Sequence, residues 1–285
     1  MSRTVFVNGA FVPYEDARIP VMDRGFLFAD GIYEVAAVLG GRLVDNAAHL
    51  ARLERSLAEI RIANPYGADE WTRLEGELVR RNELQEGLVY MQVTRGVADR
   101  DFAFPADTVP TVVMFTQAKR IADAPLAGTG AAVVTVPDLR WKRRDIKSVA
   151  LLAQVLAKQA AAEAGMAEAW MVEDGFVTEG SSSTAFIITK ERRVVTRPLS
   201  HAVLPGITRL AVMQLAREAD LAIEERLFSV EEAHAAQEAF YTSATSLVMP
   251  VVSIDHQPVG DGKPGPLVRR LRQLYLAMAT KDPAV

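Results

Sequence analysis

The 285-residue sequence predicts an α+β fold, with strands and helices irregularly mixed, in a two-domain architecture. Three observations carry this. Alternating apolar runs close on Asn8-Gly9, Gly40-Gly41 and Asp174-Gly175, pairs that favour tight hairpin turns. Apolar stripes at helical spacing fall between them without the steady beat of a parallel βαβ sheet. The stretch "AKRIADAPLAGTG" is polar, contains Pro and Gly, and follows a strand. Residues 118–130 therefore read as a linker between a smaller N-terminal domain, residues 1–117, and a larger C-terminal domain, residues 131–285.

In chain order, "TVFVNGAFV" and "GIYEVAAVLGGRLVD" read as hairpins. Asn46 is expected to cap a helix whose stripe is Leu50, Leu53, Leu57 and Ile60. A second helix runs from about Asp69 to Glu83, and "GLVYMQVTRG" and "TVPTVVMFTQ" read as buried strands. Beyond the linker, "AAVVTVPDL" is a strand. Ser148 is expected to cap a buried helix that runs through Ala164 and stops at Gly165. "EAWMVEDGFVTEGSSSTAFIIT" gives strands turning at Asp174-Gly175 and again near Gly180. A helix opens at "LPGITRLAVMQLA", and Ser229 to Glu232, "SVEE", has the form of a capping box. "AFYTSATSLVMPVVSIDHQPV" is strand, polar turn and strand, and a closing helix spans about Pro266 to Ala279.

Composition narrows the function. The chain is 49% apolar, enough for a sizeable core, and its net charge of -4 gives no electrostatic footprint for nucleic acid. It has no cysteine, so thiolate chemistry and disulfides are excluded. The four histidines stand far apart, so no metal site is expected. The start, "MSRTVFVNGAFVPYED", lacks the apolar stretch of a signal peptide, and no apolar run approaches a membrane span; a cytoplasmic protein is expected.

Lysine usage is the first chemical clue. Seven lysines stand against 25 arginines, and none precedes Lys119. Lys147, between a strand and an apolar helix and close to Lys142, Arg143 and Arg144, is a candidate for an amine kept reactive by neighbouring cations; the plain alternative is a surface lysine. In "VTEGSSST", Glu179 ends a strand and suits pairing with a protonated ring nitrogen, followed by serines such as Ser182; the alternative is a turn with a surface acid. Gly206, Ile207 and Thr208 stand at a helix start, where free N–H groups favour an anion. Ser243 and Ala244, in "TSATS", offer a turn of small residues for the same anion, and Arg52 lies beside an apolar stripe. An amine for a carbonyl, an acid for a ring nitrogen and donors for one phosphate together describe pyridoxal 5'-phosphate (PLP).

The stretches "DRGFLFADGIYE", "HLARLERSLAEI", "YMQVTRG", "RWKRRDIKSVALL", "VTEGSSSTAF", "LPGITR" and "FYTSATS" with "MPV" occur in order from about Val5 to Val259. Together they resemble the fold-type IV PLP-dependent aminotransferases, above all the bacterial D-amino acid aminotransferases. The resemblance implies a two-domain homodimer that transfers an amino group from a D-amino acid such as D-alanine or D-glutamate to a 2-oxo acid such as pyruvate or 2-oxoglutarate. It implies that Lys147 is the Schiff-base lysine and Glu179 the acid on the pyridine nitrogen. Arg52, Ile207 and Thr208, with Gly206, match phosphate-binding positions, and so do Ser243 and Ala244, where Ala244 lacks a hydroxyl often found there. Leu204 matches a residue packing on the ring, and Glu34 an acid near the lysine.

Substrate positions depart from the pattern. The resemblance implies a carboxylate held by a tyrosine, matched by Tyr33, and by an Arg-x-His pair from the other subunit, matched by Arg100 but with Phe102 in place of the histidine. A lost charge-assisted hydrogen bond costs about 1.5–3 kcal/mol, so either weaker D-amino acid affinity or a broader range reaching (R)-primary amines is expected. Branched-chain L-amino acid aminotransferases and aminodeoxychorismate lyases share the resemblance; the former carry a tyrosine five residues past the lysine, where this chain has Leu152.

Overall fold

A computed structural model describes residues 3–281, which form two compact units. The first takes the chain as far as Arg120 and adds Ile146–Ala150; the second holds Ile121–Asp145 and Leu151–Lys281.

The first unit opens on β1 (Thr4–Val7) and β2 (Ala10–Pro13). Their turn residues Asn8 and Gly9 have φ of 47° and 92°, the left-handed geometry that the Asn-Gly pair supplies at low cost. After α1 (Arg24–Phe28), β3 (Gly31–Leu39) and β4 (Arg42–Leu43) turn at Gly40 and Gly41. Then come α2 (Asn46–Glu59), α3 (Ala68–Arg81), β5 (Glu86–Thr94) and β6 (Thr111–Ala118). The antiparallel sheet has the order β2-β1-β6-β5-β3-β4. Its core joins Leu50, Leu53 and Leu57 of α2 and Trp71 of α3 to Ile32, Val89 and Met91 of the sheet. Asp45, not Asn46, is the N-cap of α2, without a side-chain cap bond. Asn46 lies inside the helix and turns its amide across to α3, donating to Glu75 Oε2 at 2.9 Å.

The second unit contains α4 (Pro125–Thr129), β7 (Ala131–Pro137), α5 (Leu152–Glu163), β8 (Glu168–Glu173), β9 (Phe176–Gly180), β10 (Thr184–Ile188) and β11 (Val194–Thr196). It continues through α6 (Ile207–Glu218), β12 (Ile223–Glu225), α7 (Val230–His234), β13 (Glu238–Ser243), β14 (Leu247–Ile254), β15 (Gln257–Pro258) and α8 (Pro266–Ala279). The mixed sheet runs β12-β11-β10-β13-β14-β7-β8-β9, with β15 paired to β14. One face buries Ala185, Ile187, Tyr241 and Met249 with Trp170 and Phe228. On the other, Phe186 stacks on Phe240 at 4.6 Å. Helices α6 and α8 pack against β13 and β14. Among the described residues no helix is long and apolar enough to cross a membrane.

Several local expectations are corrected. The stretch read as a linker includes α4, and Ile121 within it is fully buried. Helix α5 begins at Leu152 rather than behind Ser148, has no side-chain cap bond, and buries only Ala157 and Ala161; Leu152, Val155 and Leu156 are exposed. Ser148 is engaged in a β-bridge with Ile32 instead. The capping box at α7 is half made: Ser229 Oγ accepts from Glu232 N–H, but the Glu232 carboxylate binds Arg226.

Glu75 carries a titration that should be visible in stability. It is fully buried, and Oε1 has no hydrogen-bond partner among the described residues. Burial pushes its carboxyl up from 4.5 to about 8; the Asn46 amide opposes the shift and the Glu34 charge adds to it. An acid raised in the folded state is not penalised below its unfolded value. Its contribution is lost as pH rises from about 4.5 to about 8 and is level beyond. In that window wild type should lose stability relative to Glu75→Gln by about 1.4 kcal/mol per pH unit. Urea unfolding of both proteins at pH 5, 6.5 and 8 checks this; parallel stability curves would rule it out.

Candidate active site

The sequence-derived candidates fall into one group in each unit. In the first, Lys147 lies in a short extended segment laid along β3. Tyr33 N–H donates to the Lys147 carbonyl at 2.9 Å, Ser148 bridges Ile32, and Val149 N–H donates to the Gly31 carbonyl at 3.0 Å. The segment covers β3 ahead of the stretch that pairs with β4, Val38 and Leu39. The main chain at Lys147 is thereby fixed, and its Nζ stands 4.2 Å from the centre of the Tyr33 ring, itself stacked on Tyr90. The cations expected to act on Lys147 are already paired: Lys142 and Arg144 with Glu173, and Arg143 with Asp145.

Glu34, next along β3, is fully buried. Arg52 of α2 grips it at two points, Nε to Oε1 at 2.6 Å and Nη2 to Oε2 at 2.9 Å, and His49 Nδ1 lies 2.8 Å from Oε2. Burial opposes ionisation, but the charge and hydrogen bonds of Arg52, with those of His49, hold the Glu34 carboxyl far below the usual carboxylate range. Positions 49 and 52 share a face of α2 because residues three apart in a helix are neighbours. Arg100 and Phe102 are exposed, with the Arg100 guanidinium 5.6 Å from the Phe102 ring and 5.3 Å from that of Phe28.

In the second unit Glu179 is buried near the end of β9. Arg140 Nη1 donates to its Oε1, and Leu204 N–H reaches both carboxylate oxygens at 3.2–3.3 Å. Burial pushes the Glu179 carboxyl up, and Arg140 and the Leu204 N–H pull against that shift. Arg140 also chelates Asp138 through Nε and Nη2, at 2.9 and 2.7 Å, and Thr178 Oγ1 donates to Asp138 at 2.7 Å. Burial opposes the Asp138 charge, yet these bonds hold that carboxyl at about 2. Arg140, Asp138 and Thr178 were not singled out from the sequence; the only cue was an acid and a base two apart after the strand that becomes β7.

The serines after Gly180 have a different occupation from the expected ligand contacts. The hydroxyls of Ser181 and Ser183 donate to the buried Glu168 carboxylate, and Ser182 Oγ lies 3.4 Å from it. Ser182 remains exposed.

The two phosphate-type candidates in this unit lie at one end of the sheet. Gly206 is the N-cap of α6, with no side-chain cap bond, and Ile207 and Thr208 open the helix, where N–H groups lack intrahelical acceptors. A Cβ on Gly206 would stand 2.7 Å from Thr184 Oγ1, so a larger residue there would have to displace that hydroxyl. Thr184 pairs with Thr242 in the register of β10 and β13, Ser243 ends β13, and Ala244 opens the turn to β14. Thr242 Oγ1 is buried and has no hydrogen-bond partner among the described residues. Ser243 Oγ accepts from Ser246 N–H at 3.1 Å, which closes the turn.

Residues 31–254 match the family model described as amino-transferase class IV. Over 272 residues the chain is 39% identical to the D-alanine aminotransferase of Staphylococcus aureus (strain MSSA476), covering 94% of this chain and 95% of that one. The D-alanine aminotransferase of Bacillus licheniformis is 39% identical over 268 residues, with 94% of each covered. Among solved structures, the Escherichia coli branched-chain amino acid aminotransferase superposes with a TM-score of 0.92 at 22% identity, covering 98% of this chain and 95% of that one. A second branched-chain amino acid aminotransferase, from T.th and with pyridoxamine 5'-phosphate, gives a TM-score of 0.89 at 24% identity, with 99% and 96% covered. At these identities the structural likeness speaks for the fold.

Removing the Arg140 guanidinium would leave Glu179 and Asp138 buried without it. Arg140→Met should cost about 3–5 kcal/mol in urea unfolding, and adding Glu179→Gln should recover part of the loss. A near-neutral Arg140→Met would mean that the cluster is solvated in solution.

Proposed function

The chain belongs to the class IV aminotransferases, and we propose that within this family it transfers the amino group of a D-amino acid of the D-alanine or D-glutamate type to a 2-oxo acid such as pyruvate or 2-oxoglutarate, with PLP as cofactor. The observation that supports this most is the 39% identity to D-alanine aminotransferases across 94% of the chain. The donor set suits the cofactor. The N-terminus of α6 with its close-packed Gly206, the turn at Ser243 and Ala244, and the unpartnered Thr242 hydroxyl offer hydrogen bonds that a phosphate accepts. When bound, PLP supplies an aldehyde that captures amines and a ring that draws electrons from the captured substrate's α-carbon.

We assign the residues as follows. Lys147 Nζ would be the amine that holds the cofactor through its aldehyde, and it would serve to move a proton at the substrate α-carbon. A primary amine can do both, whereas an arginine stays protonated and delocalised. The contacts of its main chain with β3 fix where the amine starts, and the Tyr33 ring supports it. Glu179 would accept a hydrogen bond from the ring nitrogen and favour its protonated form, and Arg140 and the Leu204 N–H hold the carboxylate in position. Leu204 would pack on the ring. Ile207, Thr208, Ser243 and Ala244 would hold the phosphate and Arg52 would serve as its cation, its guanidinium oriented by Glu34, which His49 also contacts. Tyr33 and Arg100 bind the substrate carboxylate. Phe102 brings no hydrogen bond there, which weakens carboxylate binding and opens the range toward (R)-primary amines. We propose a cytoplasmic homodimer as the working form.

The purified protein should absorb as a PLP enzyme and lose that absorption on addition of D-alanine without an acceptor, but not with L-leucine. Lys147→Ala should abolish both borohydride-fixable cofactor and turnover. Bleaching by L-leucine in preference to D-alanine would overturn the D-amino acid assignment. Phe102→His should lower the KM for D-alanine by about tenfold, as one added charge-assisted hydrogen bond would. An unchanged KM would remove Phe102 from the substrate assignment.

A further inference from the structure

The closing helix α8 carries a buried arginine that the proposed chemistry leaves unused. Arg272 Nη1 donates to the carbonyls of Ser246, at 2.8 Å, and Val248, at 2.9 Å. Its Nη2 donates to those of Ile121, at 2.7 Å, and Ala122, at 2.9 Å. All four acceptors are main-chain oxygens. A buried arginine ordinarily meets a carboxylate in bidentate fashion. Here the guanidinium spends its donors on peptides, and the charge of Asp123 reaches it from the same segment as Ile121 and Ala122. The arginine therefore stands directly behind the turn between β13 and β14.

That turn is also where the backbone is under constraint. Leu247, fully buried, has φ of 54°, a left-handed conformation that a branched side chain rarely adopts. The two sheet carbonyls held by Arg272 belong to the residues on either side of Leu247. The Ser246 N–H, in turn, is held by Ser243 Oγ. The peptides that close the turn are therefore fixed from both ends, one by a hydroxyl within the turn and the other by Arg272 reaching in from α8.

We propose that Arg272 is a positioning residue for the phosphate end of the cofactor. It locks the Ser243–Ser246 turn in its donor conformation and places a positive charge behind it. This rests on the PLP reading above. Arg272 never touches the ligand; it acts through the turn, so its effect depends on the phosphate and not on the aldehyde.

The test compares full-length wild type, Arg272→Lys and Arg272→Met, each stripped of cofactor and titrated by absorbance with PLP and with pyridoxal, which has the same aldehyde and ring but no phosphate. Inorganic phosphate is used as a competitor. Arg272→Met should lose affinity for PLP by at least on the order of tenfold while its affinity for pyridoxal changes less than about twofold. Protection by inorganic phosphate should fall in parallel, and Arg272→Lys should lie between. Equal losses for PLP and pyridoxal, or no loss, would overturn the proposal. If Arg272→Met is not recovered folded, the same ratio measured on Arg272→Lys decides. A wild type that fails to bind PLP would instead sink the cofactor reading on which the proposal stands.

Discussion

A charge withdrawn from water must be met by partners, and much of this chain's polar interior is arranged around that requirement. In the first unit Glu34 is met by Arg52 and His49. In the second, Glu179 and Asp138 share Arg140, Glu168 is met by serine hydroxyls, and Glu238 accepts the N–H groups of Leu267 and Val268 at the start of α8. Each contact ties together elements distant in sequence: β3 to α2, β7 to β9, β8 to the loop before β10, and β13 to α8. The strands set the architecture, and the buried charges tie them to the helices and loops packed against them.

The same requirement favours arginine at the buried cation positions. A guanidinium has a rigid fork of donors and suits positions such as Arg52, Arg140 and Arg272, where several bonds must be made at once in a dry environment. Lys147 makes no such fork. Its main chain is bonded to β3 and its amine rests against the aromatic face of Tyr33.

Most of the architecture was legible because it follows from local rules. The Asn8-Gly9 and Asp174-Gly175 turns have the left-handed backbone that their residues favour, and α8 spans Pro266–Ala279 as its pattern implied. The errors lie where distant partners outcompete local preference. Asn46 gave up a capping role for Glu75, Ser148 gave up one for a bridge to Ile32, and Glu232 turned to Arg226 rather than back to its own helix start. Lys147, Glu179 and the phosphate-type positions were suggested by residue type and spacing, whereas Glu34, Leu204, Tyr33, Arg100 and Phe102 came only from the family resemblance. The supporting residues were not legible, because Arg140, Glu168, Thr242 and Arg272 acquire meaning only through strand pairing or a helix far along the chain. The apolar pattern of α5 likewise said nothing of which face would be covered, and Leu152, Val155 and Leu156 are exposed.

The seating of Lys147 has a consequence for timing. Its carbonyl and the N–H two residues later are tied into the edge of β3, so the tether of the amine belongs to a sheet rather than to a loop. Side-chain torsions reorient within picoseconds to nanoseconds, whereas loops and collective elements move orders of magnitude more slowly. The excursions open to Nζ are those of four methylenes swinging from a stationary point. In the role proposed for Lys147, the amine would leave one atom and return to it without waiting on the backbone.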